Sequence, residues 1–162
     1  MKKVPSFQRL NILINLWVTV LLIAVILNGT QGQVYAGEKG DGYVILVRCA
    51  DPRINDACMQ LLNPEEQAAV ISNTGSIKYF LLEDKLPDLY EQVRLLVHKF
   101  GVKKLILTNH THCGFYKRLS LGNEAELADL RAVKRKLFGT FPEVEIKSYL
   151  IDTETSISVP VE

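Results

Sequence analysis

The sequence Leu107-Thr-Asn-His-Thr-His-Cys-Gly114 is the starting point for the fold. An apolar run, Lys104-Leu-Ile-Leu107, leads directly into it, and a helical pattern follows it. Such a run predicts a buried strand, so His110 and Cys113 are expected on the turn where that strand ends. Their spacing allows an imidazole nitrogen and a thiolate to face one point, which suits a tetrahedral zinc ion.

A third zinc ligand is expected from the first part of the chain. Cys49 follows another apolar run, Tyr43-Val-Ile-Leu-Val47. Both clusters are predicted at the carboxyl ends of parallel strands, where open α/β sheets place their chemistry. A purely structural zinc site is the alternative, but such sites usually have four Cys or His ligands, and a fourth is hard to find here.

Length and composition restrict the class of protein. The chain has 162 residues, which is enough for one domain with a substantial core. An apolar content of 48% and a net charge of +1 are typical of a folded globular protein. The sequence has no basic run with interleaved aromatic residues, so nucleic acid is not an expected partner. Three widely spaced cysteines do not form the pattern of a disulfide framework.

The first 36 residues differ in kind from the rest. Three basic residues precede an apolar run, Leu16-Trp-Val-Thr-Val-Leu-Leu-Ile-Ala-Val-Ile-Leu27, and a polar stretch ends at Val34-Tyr35-Ala36. This layout predicts a secretory signal peptide with cleavage after Ala36, or an uncleaved membrane anchor if the span is counted from Leu10. Residues 37–162 would then form the functional domain, exported to the periplasm or the extracellular space or held on the outer side of a membrane.

Four apolar runs and three helical patterns define the predicted fold. The strands are predicted at 43–48, 67–71, 103–108 and 144–151, and the helices at 54–62, 84–100 and 122–138. Between them, Ser72-Asn-Thr-Gly-Ser76 is predicted to be a turn that Gly75 permits. Strands that alternate with helices predict an α/β fold with a mostly parallel four-stranded sheet and helices on both faces.

Two motifs resemble the β-class carbonic anhydrases. They are Cys49-Ala-Asp-Pro-Arg53 and His110-Thr-His-Cys-Gly114, which match that family's Cys-x-Asp-x-Arg and His-x-x-Cys-Gly patterns in the same order. Ser72-Asn-Thr-Gly75 is similar to the Arg-Asn-Ala-Gly segment that lies between them in the family. The order of elements from 43 to 151 is similar to that of the family's short, compact branch, with departures at Pro52 and Ser72.

The resemblance implies the function and the roles of the site residues. Cys49, His110 and Cys113 would bind Zn²⁺, and Asp51 and Arg53 would form the catalytic pair. A hydroxide on the fourth zinc position would attack carbon dioxide and give bicarbonate. Zinc is known to acidify water in this way in carbonic anhydrases with three histidine ligands, and two thiolates should weaken the effect. The resemblance also implies a homodimer or an assembly of dimers, in which a second subunit completes the pocket.

Other interpretations of the same residues stay open. The fold and the metal would also suit another small substrate, carbon disulfide or carbonyl sulfide, or an inactive zinc-binding scaffold. Cys58 is predicted to be a core thiol and His98 a surface residue near a helix end. His112 has two interpretations of equal weight, a proton carrier for the site or an exposed turn histidine.

Overall fold

The apolar runs of the sequence form the strands of a single sheet. The computed structural model describes residues 42–162. The predicted signal peptide or anchor, residues 1–36, lies outside the described residues. Within 42–162, no helix is both long and apolar enough to cross a membrane. The strands are β1 (Tyr43–Cys49), β2 (Gln67–Asn73), β3 (Lys104–His110), β4 (Glu145–Ile151) and β5 (Ser158–Pro160).

The sheet confirms the predicted parallel arrangement. Its strand order is β2-β1-β3-β4-β5, and the first four strands in this order run parallel to one another. β1 pairs with β3, the central strand, in a register that sets Val47 opposite Leu107. The carboxyl ends of β1 and β3 therefore lie side by side, as expected for the site in a parallel sheet.

The fifth strand is an addition to the predicted four-stranded sheet. β5 is antiparallel to β4 and covers its last three residues, with Ile151 opposite Ser158. It has three residues, too few to show an alternating pattern, and it ends in Pro160, which lacks a backbone donor and is tolerated at a sheet edge. For this reason β4, which the sequence suggested as an edge strand, is interior along that part of its length.

Within residues 42–162, four α-helices cover the sheet. Two lie at the predicted places with slightly different ends, α1 is shorter than expected, and α3 follows the His110–Gly114 motif. The helices are α1 (Asn55–Met59), α2 (Leu86–Phe100), α3 (Gly114–Arg118) and α4 (Asn123–Thr140). A 3₁₀ turn at Pro52–Ile54 precedes α1, and a 3₁₀ helix at Ser76–Leu81 follows β2.

Side chains of β1 alternate between the two faces of the sheet, which divides the core into two layers. Ile45 and Val47 pack with α2, α4 and the 3₁₀ helix. Val44 and Leu46 pack with α1 and α3 on the opposite face. A strand buried on both faces reads as a continuous apolar run, which is why β1 was recognisable from sequence.

Candidate metal centre

Three potential ligands meet at the carboxyl edge of the sheet. Cys49 is the last residue of β1, His110 is the last residue of β3, and Cys113 caps the start of α3. Their ligand atoms all lie within 4.8 Å of one another. All three residues are buried, with 4% or less of their surface exposed. The structure thus brings together the three residues that the sequence predicted as metal ligands.

The imidazole of His110 is oriented for a metal. Its Nδ1 lies 3.0 Å from the Thr111 carbonyl oxygen, which makes Nδ1 the protonated nitrogen and leaves a lone pair on Nε2. Nε2 is buried and has no hydrogen-bond partner among the described residues. A buried polar atom without a partner is unfavourable, and a metal ion at this point would satisfy it. The residues present therefore fit a zinc ion.

The two thiols lie within hydrogen-bond distance of each other. Cys49 Sγ and Cys113 Sγ are 4.0 Å apart. The hydrogen bond from Cys113 lowers the pKa of Cys49 to about 4, and the same bond raises the pKa of Cys113 above its ordinary value. Cys49 is therefore the more acidic of the two thiols, and a divalent metal would displace the thiol protons as it binds.

Asp51 and Arg53 form a close pair beside the ligands. Arg53 Nη2 donates to Asp51 Oδ2 at 2.7 Å, and Arg53 Nε and its backbone N–H donate to Oδ1 at 3.1 and 3.0 Å. These hydrogen bonds lower the pKa of Asp51 to about 2, so this carboxylate is ionised at neutral pH. Asp51 Oδ2 also lies 4.0 Å from His110 Nε2, which places the carboxylate next to the predicted metal position.

A cavity of ≈ 550 Å³ opens onto Cys49, Cys113 and Asp51. Its apolar wall includes Pro52, Tyr79 and Phe115, and the last two rings have centroids 5.7 Å apart. Gly75 has a φ of +85°, and a Cβ there would lie 2.4 Å from the Phe115 ring. The turn predicted at 72–76 is shorter in the structure, where only Thr74 and Gly75 separate β2 from the 3₁₀ helix. It needs glycine at position 75 both for its backbone and for the packing of the cavity wall.

The fold of this chain is similar to that of several solved structures. The chain is 13% identical to the β-carbonic anhydrase of Coccomyxa in complex with acetazolamide (TM-score 0.58), over 91% of this chain and 84% of that one. It is 15% identical to a tetrameric β-carbonic anhydrase of Sordaria macrospora (TM-score 0.56), over 96% of both chains. The chain has the β-carbonic-anhydrase fold.

Carbon disulfide hydrolase in its apo form is a third solved structure that this fold resembles. The chain is 17% identical to it (TM-score 0.52), over 72% of this chain and 76% of that one. No protein-family model matches the sequence, and no curated protein matches it. The structural similarity shows that the chain shares the β-carbonic-anhydrase fold.

The remaining predicted residues lie outside the ligand group. Cys58 is fully buried, with its Sγ 3.7 Å from Thr108 Oγ1, and is a core residue as predicted. His98 is exposed at the end of α2, also as predicted. His112 is exposed, with its Nε2 3.7 Å from a Glu154 carboxylate oxygen, a position that both interpretations of this histidine allow.

Glu126 is a site residue that the sequence interpretation missed. It is 1% exposed, and its Oε1 accepts a hydrogen bond from the backbone N–H of Cys113 at 3.1 Å. Burial raises the pKa of this carboxyl. A signal was present, because Glu126 shares the helical spacing of the buried residues Leu130, Val133 and Leu137 in α4. An acid on an apolar stripe indicates a specific partner.

Proposed function

We propose that this protein is a zinc enzyme that hydrates carbon dioxide reversibly to bicarbonate. The observation that carries the proposal is the meeting of Cys49, His110 and Cys113, whose ligand atoms lie within 4.8 Å of one another. These three residues would hold the zinc ion. Bound zinc supplies a Lewis acid that makes water nucleophilic at neutral pH.

Asp51 has the properties of a fixed hydrogen-bond acceptor beside the metal. It is ionised at neutral pH because its pKa is lowered to about 2 by Arg53. Such a carboxylate can accept a hydrogen bond from the reacting water and so orient it. Because its pKa is low, it is a poor general base. Arg53 holds both carboxylate oxygens, which keeps Asp51 from becoming a fourth ligand itself.

The cavity suits a small apolar substrate. Tyr79, Phe115 and Pro52 provide apolar surface close to the ligands, and carbon dioxide has no charge to be desolvated. Arg118 lines the same cavity, and its positive charge would attract an anionic product. This combination supports hydration of carbon dioxide to a bicarbonate anion.

Hydrolysis of carbon disulfide or carbonyl sulfide is the second candidate function. It is favoured by the likeness of the fold to that of carbon disulfide hydrolase. Both substrates are linear, small and apolar like carbon dioxide, so the same ligands and the same cavity would serve.

Stopped-flow hydration of carbon dioxide by the purified full chain, with its zinc content measured on the same sample, tests the proposal. We expect turnover in proportion to zinc, and Cys58→Ala, which removes a thiol outside the ligand group, should retain it. Zinc-replete protein that releases hydrogen sulfide from carbonyl sulfide but does not hydrate carbon dioxide would establish the second candidate. Inactivity on all three substrates would leave a zinc-binding scaffold.

We also propose that the domain is exported, with residues 1–36 acting as a signal peptide or an anchor. The support is the basic start, the apolar run and Val34-Tyr35-Ala36 of the sequence. A reporter fused after Gly37 should be found outside the cytoplasm. Retention of that reporter in the cytoplasm would rule out this role for the segment.

A further inference from the structure

The first turn of α4 contacts the turn that carries Cys113. Asn123 Oδ1 accepts a hydrogen bond from the backbone N–H of His112 at 3.2 Å. Glu126 Oε1 accepts one from the backbone N–H of Cys113 at 3.1 Å. Residues three apart in a helix lie on the same face, so Asn123 and Glu126 meet two consecutive amides from one side.

The peptide group between His112 and Cys113 is held at both ends. Its N–H donates to Glu126, and its carbonyl oxygen accepts from Arg53 Nη2 at 3.4 Å. His112 has a φ of +56°, a left-handed conformation that is unfavourable for a residue with a side chain. Contacts on both sides are therefore needed to keep this turn in one conformation, and the position of the Cys113 sulfur depends on that conformation.

The surroundings of Glu126 point to a dedicated role. Its carboxyl is buried on an apolar stripe, where a leucine would be more favourable, and its Oε2 has no partner among residues 42–162. Its backbone carbonyl accepts from Asn109 Nδ2 at 3.3 Å, next to His110 in the sequence. The same helical turn is thus tied to the strand that presents one ligand and to the turn that presents another.

We propose that Asn123 and Glu126 form a clamp, defined as these two acceptors on α4, which positions Cys113 for metal binding. The clamp rests on the proposed zinc site but not on the substrate. Both are positioning residues, because they act on the metal through the backbone of His112 and Cys113. Groups that orient metal ligands from behind commonly change metal affinity by about 10- to 100-fold when they are removed.

Amide hydrogen exchange measured by NMR on the metal-free full chain tests the contact itself. The Cys113 amide should be protected in the wild type and should lose that protection in Glu126→Leu. Leucine suits the apolar stripe, so this variant should stay folded although the Cys113 N–H loses its acceptor. Glu126→Gln keeps an acceptor oxygen and should restore the protection. Glu124→Gln changes an exposed acid in the same helical turn and is the matched control.

Zinc affinity by competition with a chelator, and the visible spectrum of the cobalt-substituted protein, test the consequence. Glu126→Leu should bind zinc about 10- to 100-fold more weakly and shift the cobalt–thiolate bands, and Glu126→Gln should recover most of both. Asn123→Ala, a change at an exposed residue that should not disturb folding, should weaken zinc binding by roughly fivefold, the value of one ordinary hydrogen bond.

Either of two results in a folded Glu126→Leu protein would overturn the clamp. One is wild-type exchange protection of the Cys113 amide. The other is lost protection together with wild-type zinc affinity and an unaltered cobalt spectrum. If Glu126→Leu does not fold, wild-type zinc affinity in Asn123→Ala is the overturning result. Neither readout involves carbon dioxide. A chain that binds zinc but does not hydrate carbon dioxide would therefore refute the proposed function, and the clamp could still be tested on it.

Discussion

Arg53 determines what Asp51 can do. The guanidinium engages both carboxylate oxygens, and Asp51 Oδ2 lies 4.0 Å from His110 Nε2. A carboxylate is itself a good zinc ligand, so its position depends on the competing partner. Arginine suits this task because its planar fork binds two oxygens at once, which a lysine ammonium cannot do.

Arg53→Ala should keep its zinc and lose hydration activity by about 10- to 100-fold, because the freed carboxylate would occupy the open position. Arg53→Lys should recover little of the rate. The loss should persist across pH, since a ligand position is blocked and no pKa is shifted. Zinc content and turnover are measured on one sample, with Arg94→Ala on the exposed surface of α2 as the control. Near-normal turnover in a zinc-replete Arg53→Ala protein would show that Asp51 and Arg53 form only a structural ion pair.

Residues with distinctive chemistry could be predicted from the sequence, whereas residues that act through the backbone could not. Cys49, His110 and Cys113 follow apolar runs, so their meeting followed from the parallel sheet. The role of Glu126 depends on an N–H group thirteen positions earlier in the chain. No residue type marks a backbone donor, and the partner of Glu126 could therefore be seen only in the structure.

Among the elements, an ion pair anchors the amino end of β3, at the end of the sheet away from the ligands. Lys104 Nζ, at the start of β3, donates to both carboxylate oxygens of Glu66 at 2.8 and 3.0 Å. Burial tends to raise the pKa of Glu66, but the hydrogen bonds from Lys104 and Asn63 outweigh it, and the pKa lies below its ordinary value. The pair joins β3 to the segment that leads into β2, with β1 between the two strands.

The lowered pKa sets the pH dependence of this anchor. A carboxyl whose pKa is lower in the folded state stabilises the fold above its unfolded pKa of about 4.5, and the contribution is lost as the pH falls towards the folded value. Glu66→Gln should lower the free energy of unfolding by about 1–3 kcal/mol at neutral pH and should lose less stability than the wild type on acidification.

Chemical denaturation from neutral pH to about pH 3 measures this difference. Glu65→Gln, an exposed neighbour, is the control. Zinc affinity at neutral pH should stay at the wild-type value in Glu66→Gln, because the pair lies at the other end of the strands from the site. Parallel pH profiles for Glu66→Gln and the wild type would contradict the assigned contribution.

The long elements were predictable and the short ones were not. β1 and α2 have runs or stripes of apolar residues that are long enough to show their period. β5 has three residues, and α3 has five, so neither shows a period, and both form because the neighbouring strand or turn positions them. The predicted start of α2 at 84 falls two residues before its start in the structure, a difference common at helix ends.

For the whole molecule, β2 is the edge of the sheet and presents an exposed valine. Val70 is 46% exposed, and the outer side of β2 has no strand partner among the described residues. An unpaired seven-residue edge is a surface that proteins normally cover. We therefore propose that this chain is a dimer or an assembly of dimers through β2.

Light scattering should give the mass of a dimer or a multiple of it. Val70→Lys should convert the protein to a monomer with reduced turnover, since a charge on an edge strand opposes pairing. Val159→Lys, at the exposed opposite edge on β5, should leave the assembly intact. A wild-type monomer with full activity would end this proposal.

The proposed function depends most on a zinc ion that is held by Cys49, His110 and Cys113. X-ray absorption spectroscopy of the zinc-loaded full chain counts its sulfur ligands and its nitrogen or oxygen ligands. We predict two sulfur atoms at about 2.3 Å and two nitrogen or oxygen atoms at about 2.0–2.1 Å, from Cys49, Cys113, His110 and water. Cys113→Ser should lose most of its zinc, whereas Cys58→Ala should give the wild-type spectrum. A zinc coordination shell with three sulfur atoms or with none would contradict the proposed ligand set. Full zinc occupancy in Cys113→Ser would also contradict it.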